Sequence, residues 1–196
     1  KSRSSHTALC ALNSYESVTK LLVELKRSLG SGLTGFELMW DSYYNKVLEV
    51  LPSLTSPFQE NHTYYLLLEY KDNNQTLGAE RFESALFEQL ESGLIDDALI
   101  AQSHQDADKF WQIRDGIGEL FQVLGPVSNQ DVSLPLEQIG PFADDLDQRL
   151  KAKYNNIGVL LFGHIGDNNL HVCAYTGRDE DKARINEDIM LMIGEY

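Results

Sequence analysis

Short apolar runs of Leu, Val and Tyr alternate along this chain with longer stretches in which apolar residues recur at the period of an amphipathic helix. The runs predict strands over residues 6–12, 33–40, 62–70, 98–103, 129–134, 158–165 and 170–175. The longer stretches predict helices over 16–29, 42–51, 78–91, 106–124, 136–153 and 181–193. Punctuation agrees with periodicity: Ser14 precedes the first helix, Ser42 opens the second, and Gly30, Gly93 and Gly125 follow helical stretches where a left-handed residue is wanted. Several strands are only partly apolar, as in NHTYYLLLEYKD, and a four-residue turn joins the last two, so pairing is at least partly antiparallel. The pattern predicts an α+β fold of ferredoxin-like βαβ units, with a mainly antiparallel sheet and helices on one of its faces. No repeat is visible residue by residue, which leaves room for a divergent duplicated βαβ unit.

Composition narrows the classes of partner. The chain has 196 residues, 42% of them hydrophobic, which suits a single domain; 16 Lys and Arg against 30 Asp and Glu give a formal net charge of −14. Such a surface repels phosphate backbones and anionic lipid, so nucleic acid and membrane headgroups are poor partners. An anionic ligand would need a local Arg or a metal to overcome that field. Cys10 and Cys173 lie far apart inside apolar runs, the setting of buried reduced thiols in a reducing compartment, cytoplasm or organelle matrix. No apolar stretch approaches the ~18 residues of a spanning helix. The opening KSRSSHTALC has no signal-peptide core and does not begin with Met, so a piece of a longer protein is expected.

The most informative string runs from Val159 to Val172, VLLFGHIGDNNLHV, and reads as strand, turn, strand. With residues 166–169 as the loop, His164 lies directly opposite His171 on one sheet face, where cross-strand Cβ atoms are about 4.5–5.5 Å apart. Two imidazoles so placed can converge on one ion at about 2.0–2.1 Å each. The bare spacing is more often that of two polar residues hydrogen-bonded near a turn, and two ligands fall short of a closed structural zinc site. Arg114 by itself reads as a helix-surface residue paired with Asp115 or Glu119. Phe110 and Trp111 read as core, Asp131 as a turn cap, the acidic clusters at 144–147 and 179–181 as solvated helix faces or starts, and His6, His62 and His104 as structural or exposed.

At this string the chain resembles the C-terminal domain of FAD-linked oxidases of the vanillyl-alcohol-oxidase superfamily, the group holding D-lactate dehydrogenases, glycolate oxidase subunits and D-2-hydroxyglutarate dehydrogenase. Gly163, His164, Gly166, Asp167, Asn169 and His171 match the motif Gly-His-x-Gly-Asp-Gly-Asn-x-His, and Asn168 stands where the family has Gly. Phe110 to Ile117 resembles the family's Trp-x-x-Arg segment, and Asp131 to Leu136 its Asp-Val-Ser-x-Pro strand. The resemblance implies that His164 and His171 hold a divalent metal, zinc in most members, that binds the substrate's 2-hydroxyl and carboxylate. It implies that Arg114 holds the carboxylate of a small 2-hydroxy acid while hydride passes from carbon 2 to FAD. The FAD-binding domain and a following Glu-His-Gly segment, which supplies the third ligand and an acid or base, are missing from the sequence. The 196 residues are therefore expected to be one domain of a larger flavoprotein, inactive by itself. Some relatives carry a Lys where Asn129 stands and an Asn where Cys173 stands, and losing both disfavours a long dicarboxylate. Two other readings stay open: a stand-alone ferredoxin-like module binding a metal or small ligand, and an assembly domain whose histidines are incidental.

Overall fold

A computed structural model describes residues 4–196. In chain order the elements are β1 (Ser4–Leu12), α1 (Tyr15–Leu29), β2 (Leu33–Trp40), α2 (Asp41–Val50), β3 (Tyr64–Asp72), α3 (Gln75–Glu91) and β4 (Asp97–Ile100). They are followed by α4 (His104–Arg114), α5 (Ile117–Val123), β5 (Ser128–Ser133), α6 (Leu136–Lys153), β6 (Gly158–His164), β7 (Asn169–Tyr175) and α7 (Asp179–Ile193). Ser14 caps α1 by accepting the Ser17 amide, and Gly30, Gly93 and Gly125 take positive φ, as expected. Ser42 falls one residue inside α2 rather than at its cap.

One seven-stranded sheet runs in the order β4-β1-β3-β2-β6-β7-β5, and the strand pairs are antiparallel. This is the α+β class expected. In the first half β1 and β2, joined through α1, flank β3; in the second, β5 and β6, joined through α6, flank β7. The duplicated unit that residue identities conceal is thus present in the connections. The halves meet along a short seam of three residue pairs between β2 and β6: Glu37 with His164, Leu38 with Gly163, and Met39 with Phe162.

Both sheet faces are covered, which corrects the expectation of helices on one face. Ala8, Cys10 and Leu12 of β1 join one core with α1, α3, α6 and α7, while Leu9 and Ala11 join a second core with α2, α4 and α5. The physical signal lay in continuous runs such as TALCAL and VLLF: a strand with one wet face alternates, and a strand buried on both faces does not. The second layer has shorter helices, of 10, 11 and 7 residues, and leaves a strip of the sheet near the β6–β7 turn open.

A single helix over 106–124 is also corrected. The chain leaves the helix at Asp115 (φ −94°, ψ 4°) and re-enters at Ile117. Gly116 sits against α2 so closely that a Cβ there would lie 2.8 Å from Val47 Cγ1, so the break lets two helices approach. It makes Arg114 the last residue of α4, with its backbone carbonyl accepting the Tyr43 hydroxyl at 2.6 Å.

Candidate metal and carboxylate site

The loop of the β6–β7 hairpin lies one residue earlier in the chain than the sequence suggests. It spans 165–168, a 3-10 turn closed by the Asn168 amide donating to the Ile165 carbonyl, so His171 pairs with Phe162 rather than with His164. His164 and His171 are consequently diagonal neighbours on one face instead of direct partners, and their ring centroids stand 5.2 Å apart, edge to face. Asn168 explains the shift: it sits at φ 59°, ψ 28°, the left-handed region that Gly enters freely and Asn better than other side chains. Asn168 therefore adopts a backbone conformation that Gly would also take freely. Gly163 has a different role, since a Cβ on it would lie 2.4 Å from the Asn169 carbonyl oxygen.

Each ring is held from behind. His171 Nδ1 is 2.5 Å from Asp131 Oδ1, its direct partner on β5, and His164 Nδ1 is 2.7 Å from Glu37 Oε1, its direct partner on β2. A carboxylate at Nδ1 favours the tautomer with its proton there and leaves the Nε2 lone pair for a ligand. Asp131 is thus a histidine partner rather than the turn cap expected. His164 and His171 side chains are 47% and 20% exposed, so both rings reach the open strip.

Arg114 comes to the same place from the end of α4. It is buried, not on the helix surface: Nε and Nη2 donate to Glu37 Oε2 at 3.0 and 2.9 Å, and its guanidinium lies 5.0 Å from the Phe162 ring centroid. Phe162 also stacks on Tyr43 and packs against His171. Burial pushes the Tyr43 hydroxyl far above its usual range, so it stays a neutral donor. One rung from His171, Cys173 Sγ donates to Asn129 Oδ1 at 3.3 Å, so the two positions where some relatives carry Asn and Lys contact each other. Both cysteines are free and buried.

The three residues singled out from sequence, His164, His171 and Arg114, are therefore brought together. Among the described residues no set of three or more His, Cys, Asp or Glu side chains forms a ligand group, because the carboxylates of Glu37 and Asp131 stand behind the rings. The donor set fits a divalent cation as two imidazoles of a site with open positions. The buried Asn169 Oδ1, beside them on β7, has no hydrogen-bond partner and suits a site that a bound group completes. A cleft of about 110 Å³ bordered by Lys26, Thr34, Glu37, His164 and Asp167 touches His164 but neither His171 nor Arg114. A cavity of about 690 Å³ at the start of β1, lined by His6, Ser103 and His104, shares none of these residues.

Glu37 and Phe162 are the site residues that sequence reading missed. Glu37 carried a signal: it is the one charge in the apolar run GFELMW, and a charge on a buried strand needs a partner. Phe162 carried none, since an aromatic in VLLF reads as core.

The family model "FAD linked oxidases, C-terminal domain" matches residues 1–196. The mitochondrial D-2-hydroxyglutarate dehydrogenase of Arabidopsis thaliana is 38% identical over 182 residues, covering 93% of this chain and 32% of that protein. The D-2-hydroxyglutarate dehydrogenase of Xanthomonas citri pv. viticola is 31% identical over 169 residues, covering 86% and 34%. The chain thus spans about a third of the length of these relatives. Among solved structures, p-cresol methylhydroxylase with substrate bound superposes with a TM-score of 0.61 over 98% of this chain and 42% of that one, at 7% identity, a likeness of fold alone. A model matched from end to end and relatives above 30% identity place this chain in the family of FAD-linked oxidase C-terminal domains.

Proposed function

We propose that this chain is the substrate-side domain of an FAD-dependent dehydrogenase of small 2-hydroxy acids, with His164 and His171 as metal ligands and Arg114 as the carboxylate-binding group. The observation that carries the reading is the convergence, on one open strip of sheet, of two imidazoles pinned through Nδ1 and a buried guanidinium. The relatives, named as D-2-hydroxyglutarate dehydrogenases, support the substrate class of small 2-hydroxy acids, and the family supports FAD.

Each side chain has a definite task. The imidazoles offer Nε2 lone pairs from a fixed geometry, because a carboxylate behind each ring fixes its tautomer. Arg114, held on Glu37 through Nε and Nη2, would offer its remaining guanidinium edge to a substrate carboxylate. A divalent ion such as zinc, when bound, lowers the pKa of the 2-hydroxyl. FAD, if bound against this domain, would supply the hydride acceptor for carbon 2 of the acid, with the hydroxyl proton going to a base and a 2-oxo acid as product. By this reading residues 1–196 alone lack turnover.

The finer substrate choice rests on the Asn129–Cys173 rung. Neither side chain is cationic, which removes a partner for a second carboxylate, so a short 2-hydroxy acid such as lactate or glycolate suits this strip no less than a long dicarboxylate. A reducing compartment is proposed from the two free buried thiols. Among the described residues no helix is long and apolar enough to cross a membrane.

The test is to purify the full-length protein, measure its bound flavin, and follow flavin bleaching under anaerobic conditions with D-lactate, glycolate and D-2-hydroxyglutarate. Bleaching by a 2-hydroxy acid that a chelator abolishes and zinc restores is the expected result. A protein without flavin, or one whose reduction ignores the chelator, overturns the proposal.

A further inference from the structure

We propose that Glu37 is a positioning residue that sets the ligand tautomer of His164 and the aim of Arg114 together; this deepens the reading above and rests on it. A single carboxylate, 9% exposed, accepts from His164 Nδ1 on one oxygen and from Arg114 Nε and Nη2 on the other. It lies on the three-pair seam where the two halves of the sheet join, directly across from His164. Elements distant in sequence thus depend on one side chain: β2 carries the carboxylate, α4 the guanidinium and β6 the imidazole.

The chemistry follows from donor and acceptor counting. Arg114 donates at every nitrogen, so the oxygen facing it must accept. His164 Nδ1 faces the other oxygen, which as part of a carboxylate also accepts; in the neutral imidazole the single proton is therefore held on Nδ1 and Nε2 is the nitrogen left to bind a ligand. Holding Nε and Nη2 on Glu37 turns the Nη1 side of Arg114 away from it. Nη1 pairs with Asp115 at 3.6 Å, and that side chain is 64% exposed and screened by water, so this is the weaker of the two pairs and the one a substrate carboxylate would displace.

Glu37 differs from the partner of the other ring. Asp131 is 69% exposed, and water can take its place behind His171. Glu37, at 9%, leaves far less room for water to replace it. Glu37→Gln is the decisive change because an amide has one accepting oxygen. Arg114 claims it, the amide NH₂ turns to His164, Nδ1 becomes an acceptor and the proton moves to Nε2, where it blocks ligation.

The experiment uses the full-length protein stripped of metal, with zinc affinity measured by chelator competition in wild type, Glu37→Gln, Asp131→Asn, His164→Ala, His171→Ala and the Glu37→Gln/His164→Ala double variant. Glu37→Gln is expected to weaken zinc by about 10–100-fold, the usual effect of losing a histidine's carboxylate partner. Asp131→Asn is expected to weaken it less, and the double variant to bind no worse than His164→Ala. Zinc binding by Glu37→Gln within twofold of wild type, or a loss that adds in full to that of His164→Ala, overturns the role of Glu37. If His164→Ala and His171→Ala also bind zinc like wild type, the metal site itself is refuted and this role falls with it. Should Glu37→Gln fail to fold, ¹⁵N histidine NMR of the metal-stripped wild type decides: an Nδ1–H tautomer at His164 is expected, and an Nε2–H tautomer overturns the proposal.

Discussion

The two glycines of the Gly-His-x-Gly string are expected to behave very differently when given a methyl group. At Gly163 an added Cβ would stand 2.4 Å from the Asn169 carbonyl oxygen and 3.0 Å from Leu170 Cα. Both atoms are backbone of the neighbouring strand, so no flexible side chain can yield; β6 and β7 must separate by about an ångström at the rung beside His164. Overpacking costs about 1–3 kcal/mol, and rigid backbone neighbours place Gly163→Ala at the upper end. At Gly166 the nearest atom to an added Cβ is Phe36 Cβ at 3.5 Å, ordinary contact, and φ there is not positive. Gly166→Ala should fall within about 1 kcal/mol of wild type, with a tendency to stabilise by restricting the unfolded chain. Denaturant midpoints of the two variants, together with zinc affinity, test this. Gly163→Ala should lose both stability and zinc while Gly166→Ala keeps both. Equal behaviour, or a greater loss at Gly166, would refute the hairpin register from which the site is built.

Three further outcomes are expected. Asn168→Gly should match or exceed wild-type stability, whereas Asn168→Ala should lose about 1 kcal/mol because φ 59° is costly for Ala; urea midpoints give the order Gly, Asn, Ala, and any other order contradicts the left-handed assignment. Cys10 and Cys173 are 0% exposed, and burial, with the charge of Asp131 second, pushes the Cys173 thiol up to about 12; neither thiol should react with iodoacetamide at pH 8 until the protein unfolds, and native-state labelling would contradict the packing. Introducing Asn129→Lys with Cys173→Asn should raise kcat/KM for D-2-hydroxyglutarate relative to D-lactate by tenfold or more, the effect of about 1.4 kcal/mol; an unchanged ratio would remove this rung from specificity.

Most of the secondary structure was legible in the chain because amphipathic periods and caps are local. The span 136–153 is reproduced as α6, and Ser14 caps α1 as read. The errors came where tertiary contact overrides local preference. Packing of Gly116 against α2 splits 106–124 into two helices, and this places Arg114 at a helix end facing the sheet. The register of the hairpin depended on which residue enters the left-handed region, and Asn168 looked like one more polar loop residue. Helices on the second face were written in the unbroken apolar runs but were not deduced from them. In the site, His164, His171 and Arg114 were visible through motif and spacing, whereas Glu37 is distant in sequence and joins them only through the β2–β6 seam.

The most direct measurement is zinc content and 2-hydroxy-acid turnover in the full-length His171→Ala protein, with flavin content as the internal control. Retained flavin with zinc and turnover both lost is the expected result. Turnover at the wild-type rate with zinc gone would contradict the account at its centre.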